Sequence, residues 1–192
     1  MAPRRLSGAV ARPAELLRPM LKWCSAFLVV LVLVFLVTRH LPLMVASEAL
    51  RNNEAITITA GRRDRAFFAE GWAAAVTGGN VTARTSSGDS GARWLPLVPI
   101  HDYHVTLRLD PSPRPVGDSP ANLPVVEVFL NEQLISTLNL TWNPQRVGGY
   151  QLAIPRSLVR DGRNRLVLRP KNQSGGVAAI SFWYVRVRPP GS

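Results

Sequence analysis

The chain has 192 residues, of which 23 are Lys or Arg and 12 are Asp or Glu, so its formal net charge is +11. Its single cysteine, Cys24, excludes an intramolecular disulfide framework. The basic residues are scattered rather than clustered in a Lys/Arg stripe. This pattern argues against nucleic-acid binding and favours a solvated surface that faces anionic envelope polymers or lipid headgroups.

The first element is an uncharged apolar run, Trp23–Thr38, bounded by Lys22 and Arg39. A helix of this length spans about 24 Å. The long flanking basic side chains and an interfacial Trp extend it to the thickness of a bilayer. We therefore predict a single transmembrane helix over residues 20–39. Its predicted anchoring residues are Lys22, Trp23, Phe27, Leu31, Phe35 and Arg39.

The charges that precede the apolar run predict its orientation. Residues 1–19 carry four arginines and one acid, Glu15. By the positive-inside rule this basic tail stays in the cytoplasm and the rest of the chain crosses the membrane. The alternative is a cleaved signal peptide with Val45-Ala46-Ser47 as its small-residue site. Charged Arg39 and the bulky segment 41–44 lie before that site and favour an uncleaved anchor.

After a juxtamembrane stalk over residues 40–54, the hydrophobic pattern changes to a period of two. The cleanest alternation places Tyr103, Val105, Leu107 and Leu109 on one face of a strand. Short strands separated by Gly- and Pro-rich turns, without long amphipathic helices, predict an all-β, antiparallel β-sandwich over residues 55–190. The predicted strands are 56–59, 80–85, 93–97, 103–109, 125–130, 134–140, 150–154, 165–169 and 180–187, and one helical turn is predicted over Pro155–Val159.

Three segments resemble the galactose-binding-like jelly-roll domains: 126–135, 150–155 and 158–166. That family carries a V-x-V-N-G hairpin and a later L-x-x-G-x-N-x-L turn. Here Gly162 supplies the positive φ of the turn, and Asn164 can cap the backbone with its amide. The resemblance implies a jelly-roll sandwich. This chain has Asn131-Glu132 where the family has Asn-Gly, a departure that bears on the tight type I′ turn but not on the strand pair.

A second resemblance rests on Glu70-Gly71-Trp72 and Ala92-Arg93-Trp94. These are similar to the G-W and R-W motifs of β-sandwich domains appended to bacterial multi-span glycosyltransferases. The resemblance implies a glycan-contacting accessory domain at the bacterial inner membrane, with its sandwich periplasmic or extracellular. Those relatives often have an acidic residue after the first Trp, whereas here Ala73–Ala75 follow.

Sugars are bound by aromatic faces together with planar hydrogen-bonding groups. The candidate glycan-binding residues are therefore Trp72, Arg93, Trp94 and Trp142, with Trp142 in the loop 141–149 the more exposed ring. The alternative is structural: Trp residues of small sandwiches usually lie in the core, and Arg93 would then stack on Trp72.

The sequence offers no convincing catalytic or metal site. His101 and His104 are three residues apart, and on a strand such residues point to opposite faces, so they would not share a metal ion without a bulge. The chain contains no Gly-rich phosphate loop, nucleophile elbow or zinc signature. We therefore predict a non-enzyme without a cofactor or metal.

Two functions remain open at this stage. In the first, the sandwich is a glycan-binding accessory module of envelope polysaccharide or glycosyltransferase machinery. In the second, it is a structural or docking subunit of a membrane protein complex and binds no sugar. The stand-alone helix slightly favours the second, because this chain has no transferase built into it and must find a membrane protein partner.

Overall fold

The computed structural model describes residues 13–61, 64–78, 81–112, 123–141, 148–171 and 178–192. The chain divides into two compact units, Met1–Thr38 and Arg39–Ser192. Helix α1 (Pro13–Arg51) contributes residues to both units. Residues 1–12 of the predicted basic tail, the side chain of Lys22 and all of Trp142 lie outside what is described.

In the part of the first unit whose side chains the structure describes, from Trp23 onward, the apolar side chains of α1 are not covered by protein. From Trp23 to Val37 the large apolar side chains are 44–78% exposed, among them Phe27, Leu31 and Phe35. A buried core helix would not expose such a surface. The segment Trp23–Arg51 is long and apolar enough to cross a membrane.

From Arg39 onward α1 belongs to the second unit, so the segment predicted as a stalk is helical up to Arg51. Leu43 and Leu50 are buried, and Leu50 is part of the hydrophobic core of the sandwich. Arg51 donates a hydrogen bond to Asp161 at 3.2 Å. The helix ends where Asn53 adopts a left-handed conformation with φ 62°.

The described part of the second unit contains ten strands in two antiparallel sheets. Four strands of the larger sheet are ordered β3-β10-β5-β8, with β2 beside β3 and β1 paired to β10, and the smaller sheet is ordered β4-β9-β6-β7. The strands are β1 (Ile56–Thr59), β2 (Val76–Gly78), β3 (Val81–Thr85), β4 (Gly91–Leu95), β5 (Tyr103–Ser112), β6 (Val125–Leu130), β7 (Gln133–Asn139), β8 (Gly148–Ile154), β9 (Asn164–Lys171) and β10 (Ala179–Arg188).

The order of the eight strands from β3 to β10 is that of a jelly roll. Successive strands β3, β4, β5 and β6 alternate between the two sheets, and β6 and β7 form a hairpin. The last three strands then return to the earlier ones: β8 pairs with β5, β9 lies between β4 and β6, and β10 lies between β3 and β5. This is the arrangement of two Greek keys in a double-sheet sandwich. The prediction of an all-β, antiparallel jelly-roll-like sandwich preceded by an apolar helix is confirmed.

The core lies between the two sheets and follows the predicted alternation. Tyr103, Val105, Leu107 and Leu109 of β5 are each at most 1% exposed. They pack with the inward residues of β6, β9 and β10 in one continuous cluster. Full burial of each large apolar side chain stabilises the fold by about 1.5–3 kcal/mol. Because the alternating apolar residues gain this energy only on the inner face, the period of two predicts which face of β5 is buried.

The hairpin between β6 and β7 is a two-residue turn, although Glu occupies its second position. Asn131 and Glu132 have φ values of 48° and 76°, as a type I′ turn requires. The side chain of Asn131 holds the turn: it donates to the carbonyl of Leu158 at 3.0 Å and accepts from the amide of Arg165 at 3.0 Å. The strand pair that the resemblance implied is confirmed, and the tight turn forms as well.

Asn164 closes the turn before β9, as its motif predicts. It is fully buried, and its side-chain oxygen accepts from the amide of Arg160 at 2.7 Å. Its amide nitrogen donates to the carbonyls of Arg160, Gly162 and Leu97. Gly162 has the expected positive φ of 84°. The helical turn predicted over Pro155–Val159 is the 3-10 helix Arg156–Leu158, which follows Pro155 at its N-cap position.

Strand β2 is one element that the hydrophobic pattern did not predict. Its three residues are all exposed and pair only with β3, so it has no buried face and no alternation. The apolar run 66–68 forms a turn and a single bridge between Phe68 and Arg93. Both differences lie next to Trp72.

Candidate functional site

The Gly71-Trp72 dipeptide lies in the loop before β2 and packs against the start of β4. Gly71 has φ 75°, and a Cβ there would lie 2.0 Å from the carbonyl oxygen of Ser90. A Cβ at Gly91 would lie 2.5 Å from the indole of Trp72. The indole nitrogen donates to the carbonyl of Ala92 at 2.9 Å. Two close approaches that only glycine permits therefore seat the Trp72 ring against β4.

Arg93 lies fully buried behind this ring. Its guanidinium carbon is 3.8 Å from the ring centroid of Phe182 and 4.4 Å from that of Phe68. Trp72 contacts both phenylalanines edge-on, with ring centroids 5.6 Å apart in each pair. The stacked rings stabilise the cation, a desolvated cation–π contact being worth about 2 kcal/mol. Burial lowers the pKa of Arg93 to about 9, so it remains charged at neutral pH.

Among the residues that the structure describes, none donates to or accepts from any of the three side-chain nitrogens of Arg93. A neighbouring acid, Asp64, is also buried, but its two oxygens accept from Arg84 at 2.8 Å each, and one accepts from the amide of Gly61 as well. These hydrogen bonds raise the pKa of Arg84. The carboxylate therefore hydrogen-bonds to Arg84, and it attracts the charge of Arg93 without a hydrogen bond to it.

Trp72, Phe68 and Arg84 line an open cleft of about 750 Å³, called the Trp72 cleft below. Two partly buried aromatic rings line it, together with one carboxylate and two guanidinium groups. Glu70 is held by Arg165, and Arg84 also donates to the carbonyl of Ala73 at 2.9 Å. Its lining residues are Gly61, Arg65, Phe68, Ala69, Glu70, Trp72, Ala74, Ala75 and Arg84.

Of the four predicted glycan-binding residues the structure describes three, and it does not bring these three together in the cleft. Trp72 lines the cleft, whereas Arg93 lies beneath it and is covered by the rings. Trp94 follows Arg93 on the same strand and so points to the opposite face. There it stacks with Arg163, at 5.7 Å from guanidinium carbon to ring centroid. Trp142 lies outside the described residues.

Three cleft residues escaped the sequence analysis. Phe68 belongs to a short apolar run that predicts only burial, and Arg65 and Arg84 are two of many scattered arginines. Only the fold places them around Trp72. The pairing of β3 with β10 sets Arg84 opposite Phe182, and the hydrogen bonds from Arg84 join β3 to Asp64, 20 residues earlier in the chain.

A second groove, of about 440 Å³, lies over the edge of β5 and β8 and includes His104, Gln151 and Arg188. None of its lining residues is aromatic apart from the His104 imidazole. His101 and His104 do not converge on a common point with acidic groups, and the described residues contain no group of three His, Cys, Asp or Glu that could hold a metal. The Trp72 cleft is therefore the better candidate site.

No protein-family model and no curated protein matches the sequence. Among solved structures, the C-terminal CBM6 of LamC, a marine laminarinase from Zobellia galactanivorans, is similar with a TM-score of 0.46 and 10% identity over 70% of this chain and 99% of that one. The CBM36-1 domain of a multidomain xylanase from the hindgut metagenome of Trinervitermes trinervoides has a TM-score of 0.46 and 9% identity, covering 72% and 100%. The insecticidal crystal protein Cry2Aa has a TM-score of 0.42 and 13% identity, covering 71% and 21%. Such likenesses concern strand arrangement and carry no conclusion about ligands.

Proposed function

We propose that this chain is a non-catalytic, membrane-anchored β-sandwich that binds a glycan in the Trp72 cleft. It would serve as an accessory module of envelope polysaccharide or glycosyltransferase machinery at the bacterial inner membrane. In this proposal the basic tail is cytoplasmic, α1 is an uncleaved anchor and the sandwich is periplasmic or extracellular.

The observation that carries the proposal is the composition of the cleft. Sugar rings present apolar C–H faces and polar hydroxyl edges, so they bind where an aromatic ring adjoins fixed hydrogen-bonding groups. The Trp72 cleft combines the Trp72 and Phe68 rings with Arg84 and Glu70. Arg84 is held by Asp64 and Glu70 by Arg165, so both are positioned before a ligand arrives.

The anchor is supported by the first unit. All fifteen residues from Trp23 to Val37 are exposed, and most of them are large and apolar. Such a surface is stable in lipid and costly in water. The excess of arginine before it favours a cytoplasmic tail.

The test is a titration of the full-length protein in detergent or lipid nanodiscs with envelope polysaccharides, following tryptophan fluorescence. We expect a saturable change because Trp72 lines the cleft. Replacing Trp72 would disturb the fold, so the diagnostic variant is Ala74→Tyr, which fills the cleft from an exposed position. It should reduce affinity at least tenfold.

The matched control is Ala153→Tyr, at an exposed position of the second groove. It should leave the titration unchanged. If Ala153→Tyr abolishes binding and Ala74→Tyr does not, the Trp72 cleft is not the site. If no glycan changes the fluorescence and the protein co-purifies with a membrane complex, the docking-subunit function replaces glycan binding.

A further inference from the structure

The charges around the Trp72 cleft do not cancel. Both carboxylates near it are already paired, Asp64 with Arg84 and Glu70 with Arg165. Arg93 has no hydrogen-bond partner for any of its nitrogens, and exposed Arg65 forms no ion pair within the described ranges. Two positive charges therefore lack a contacting counter-ion among the described residues, Arg65 in the cleft and Arg93 beneath it.

The buried charge is the more informative of the two. Burying an ion that no counter-ion contacts is unfavourable, and the two stacked rings offset this cost only in part. A methionine of similar length would fill the same space between Phe68 and Phe182 without that cost. The arginine therefore reduces stability at this position, a cost that a functional role for its charge would explain.

Arg93 is separated from the cleft by a single ring. Phe68 lines the cleft, and the guanidinium carbons of Arg84 and Arg93 lie 4.7 and 4.4 Å from its centroid. Charges act at longer range through protein than through water, because the surroundings of a buried charge screen it less. A ligand group resting against Phe68 would therefore experience the charge of Arg93 without touching it.

We infer that the glycan bound in the Trp72 cleft is acidic, and that its carboxylate or sulfate group lies between Arg65 and the Phe68 ring. Arg65 contacts the acidic group directly from an exposed side chain. Arg93 acts as a positioning residue through its charge. This inference rests on the proposed function and specifies the chemical class of its ligand.

The test compares ligands that differ only in charge. Full-length protein in nanodiscs is titrated with de-esterified and fully methyl-esterified oligogalacturonides, and in parallel with a sulfated galactan oligosaccharide and its desulfated form. We expect the acidic form of at least one pair to bind at least tenfold more tightly, and its affinity to fall as NaCl is added. The pair that discriminates identifies carboxylate or sulfate.

Three variants locate the charges. Arg65→Gln and Arg93→Met should each weaken binding of the acidic ligand on the order of tenfold. Arg65→Gln removes a direct contact, and Arg93→Met removes a unit charge about 10 Å away in a protein-like dielectric. Each should lower the ratio of acidic-ligand to neutral-ligand affinity, whereas a purely structural role of Arg93 would weaken both ligands equally and leave that ratio unchanged. Arg186→Gln removes the same charge from an exposed position on the outer face of the large sheet and should change neither affinity.

The outcomes separate the two proposals. Equal affinity for charged and neutral forms would overturn the acidic-ligand inference and leave glycan binding intact. Absence of binding to every oligosaccharide would overturn the proposed function itself. A preference for acidic forms that Arg186→Gln removes, and that Arg65→Gln and Arg93→Met do not, would also overturn the inference because it places the acidic group elsewhere.

Discussion

Single residues explain why the G-W and R-W motifs occur together. Gly71 and Gly91 leave room for Ser90 and for the Trp72 ring, and Trp72 in turn covers the rings that enclose Arg93. The two motifs are therefore one packing unit that builds the rear wall of a cleft. Arg93 does not present its donors to solvent, so only its charge can reach a ligand.

Gly91→Ala tests this unit at the scale of one methyl group. The added Cβ would lie 2.5 Å from the Trp72 ring, and the ring must move. We expect a loss of about 1–3 kcal/mol in the free energy of unfolding, as for other overpacked cores. The fluorescence response to glycan should also weaken. Urea unfolding followed by circular dichroism measures the first effect.

Gly78→Ala is the control, because no atom lies within 4 Å of a Cβ at this exposed position. It should change the free energy of unfolding by less than about 0.5 kcal/mol. Equal stability of both variants would mean that Trp72 is not seated on Gly91.

At the scale of elements, the β6–β7 hairpin is formed by a sequence that does not favour its turn. Glu132 adopts a φ of 76°, which strains any residue with a Cβ. The side-chain hydrogen bonds of Asn131 hold the turn against this strain by tying it to Leu158 and Arg165. The hairpin is thus stabilised from the neighbouring strand β9 and its preceding loop.

Glu132→Gly should stabilise the protein because it creates the favoured Asn-Gly turn. We expect a gain of about 0.5–1 kcal/mol in the free energy of unfolding, from relief of strain less the entropy of the glycine. Asn131→Gly relieves comparable strain but removes the hydrogen bonds, and should destabilise the protein by about 1–3 kcal/mol. Stabilisation by both substitutions would contradict a structural role of the Asn131 side chain.

At the scale of the whole molecule, the chain combines an apolar helix with a jelly roll that contains part of that same helix. Leu43 and Leu50 are buried in the second unit, and Arg51 pairs with Asp161. The segment after the apolar run is therefore folded rather than a free linker. The proposed membrane topology depends on the N-terminal end of the helix, where arginines outnumber acidic residues before the apolar run.

Protease added to spheroplasts should digest the sandwich and spare the basic tail. An epitope tag at the N-terminus should become accessible only after the membrane is dissolved with detergent, because the positive-inside rule keeps the arginines in the cytoplasm. A tag that is cleaved in intact spheroplasts would reverse the topology. A mature protein that lacks the tag and begins near Ser47 would show a cleaved signal peptide instead of an anchor.

Local periodicity and composition by themselves determined the fold class of this protein. Alternation predicted the buried face of β5 and the bounds of β1 and β6, because burial on one side of a strand imposes a period that is visible in the sequence. The uncharged apolar run between Lys22 and Arg39 predicted the helix. The Gly162–Asn164 turn was also predictable, since its hydrogen bonds close within a few residues.

Only the tertiary structure decided the composition of the cleft. The pairing of β3 with β10 and the turn at 64–68 make four cleft residues neighbours: Arg65, Phe68, Trp72 and Arg84. No local pattern in the sequence encodes these contacts. The same packing buried Arg93 and turned Trp94 to the opposite face. A strand's alternation states that two successive residues face apart, but which face meets the other sheet depends on the whole sandwich.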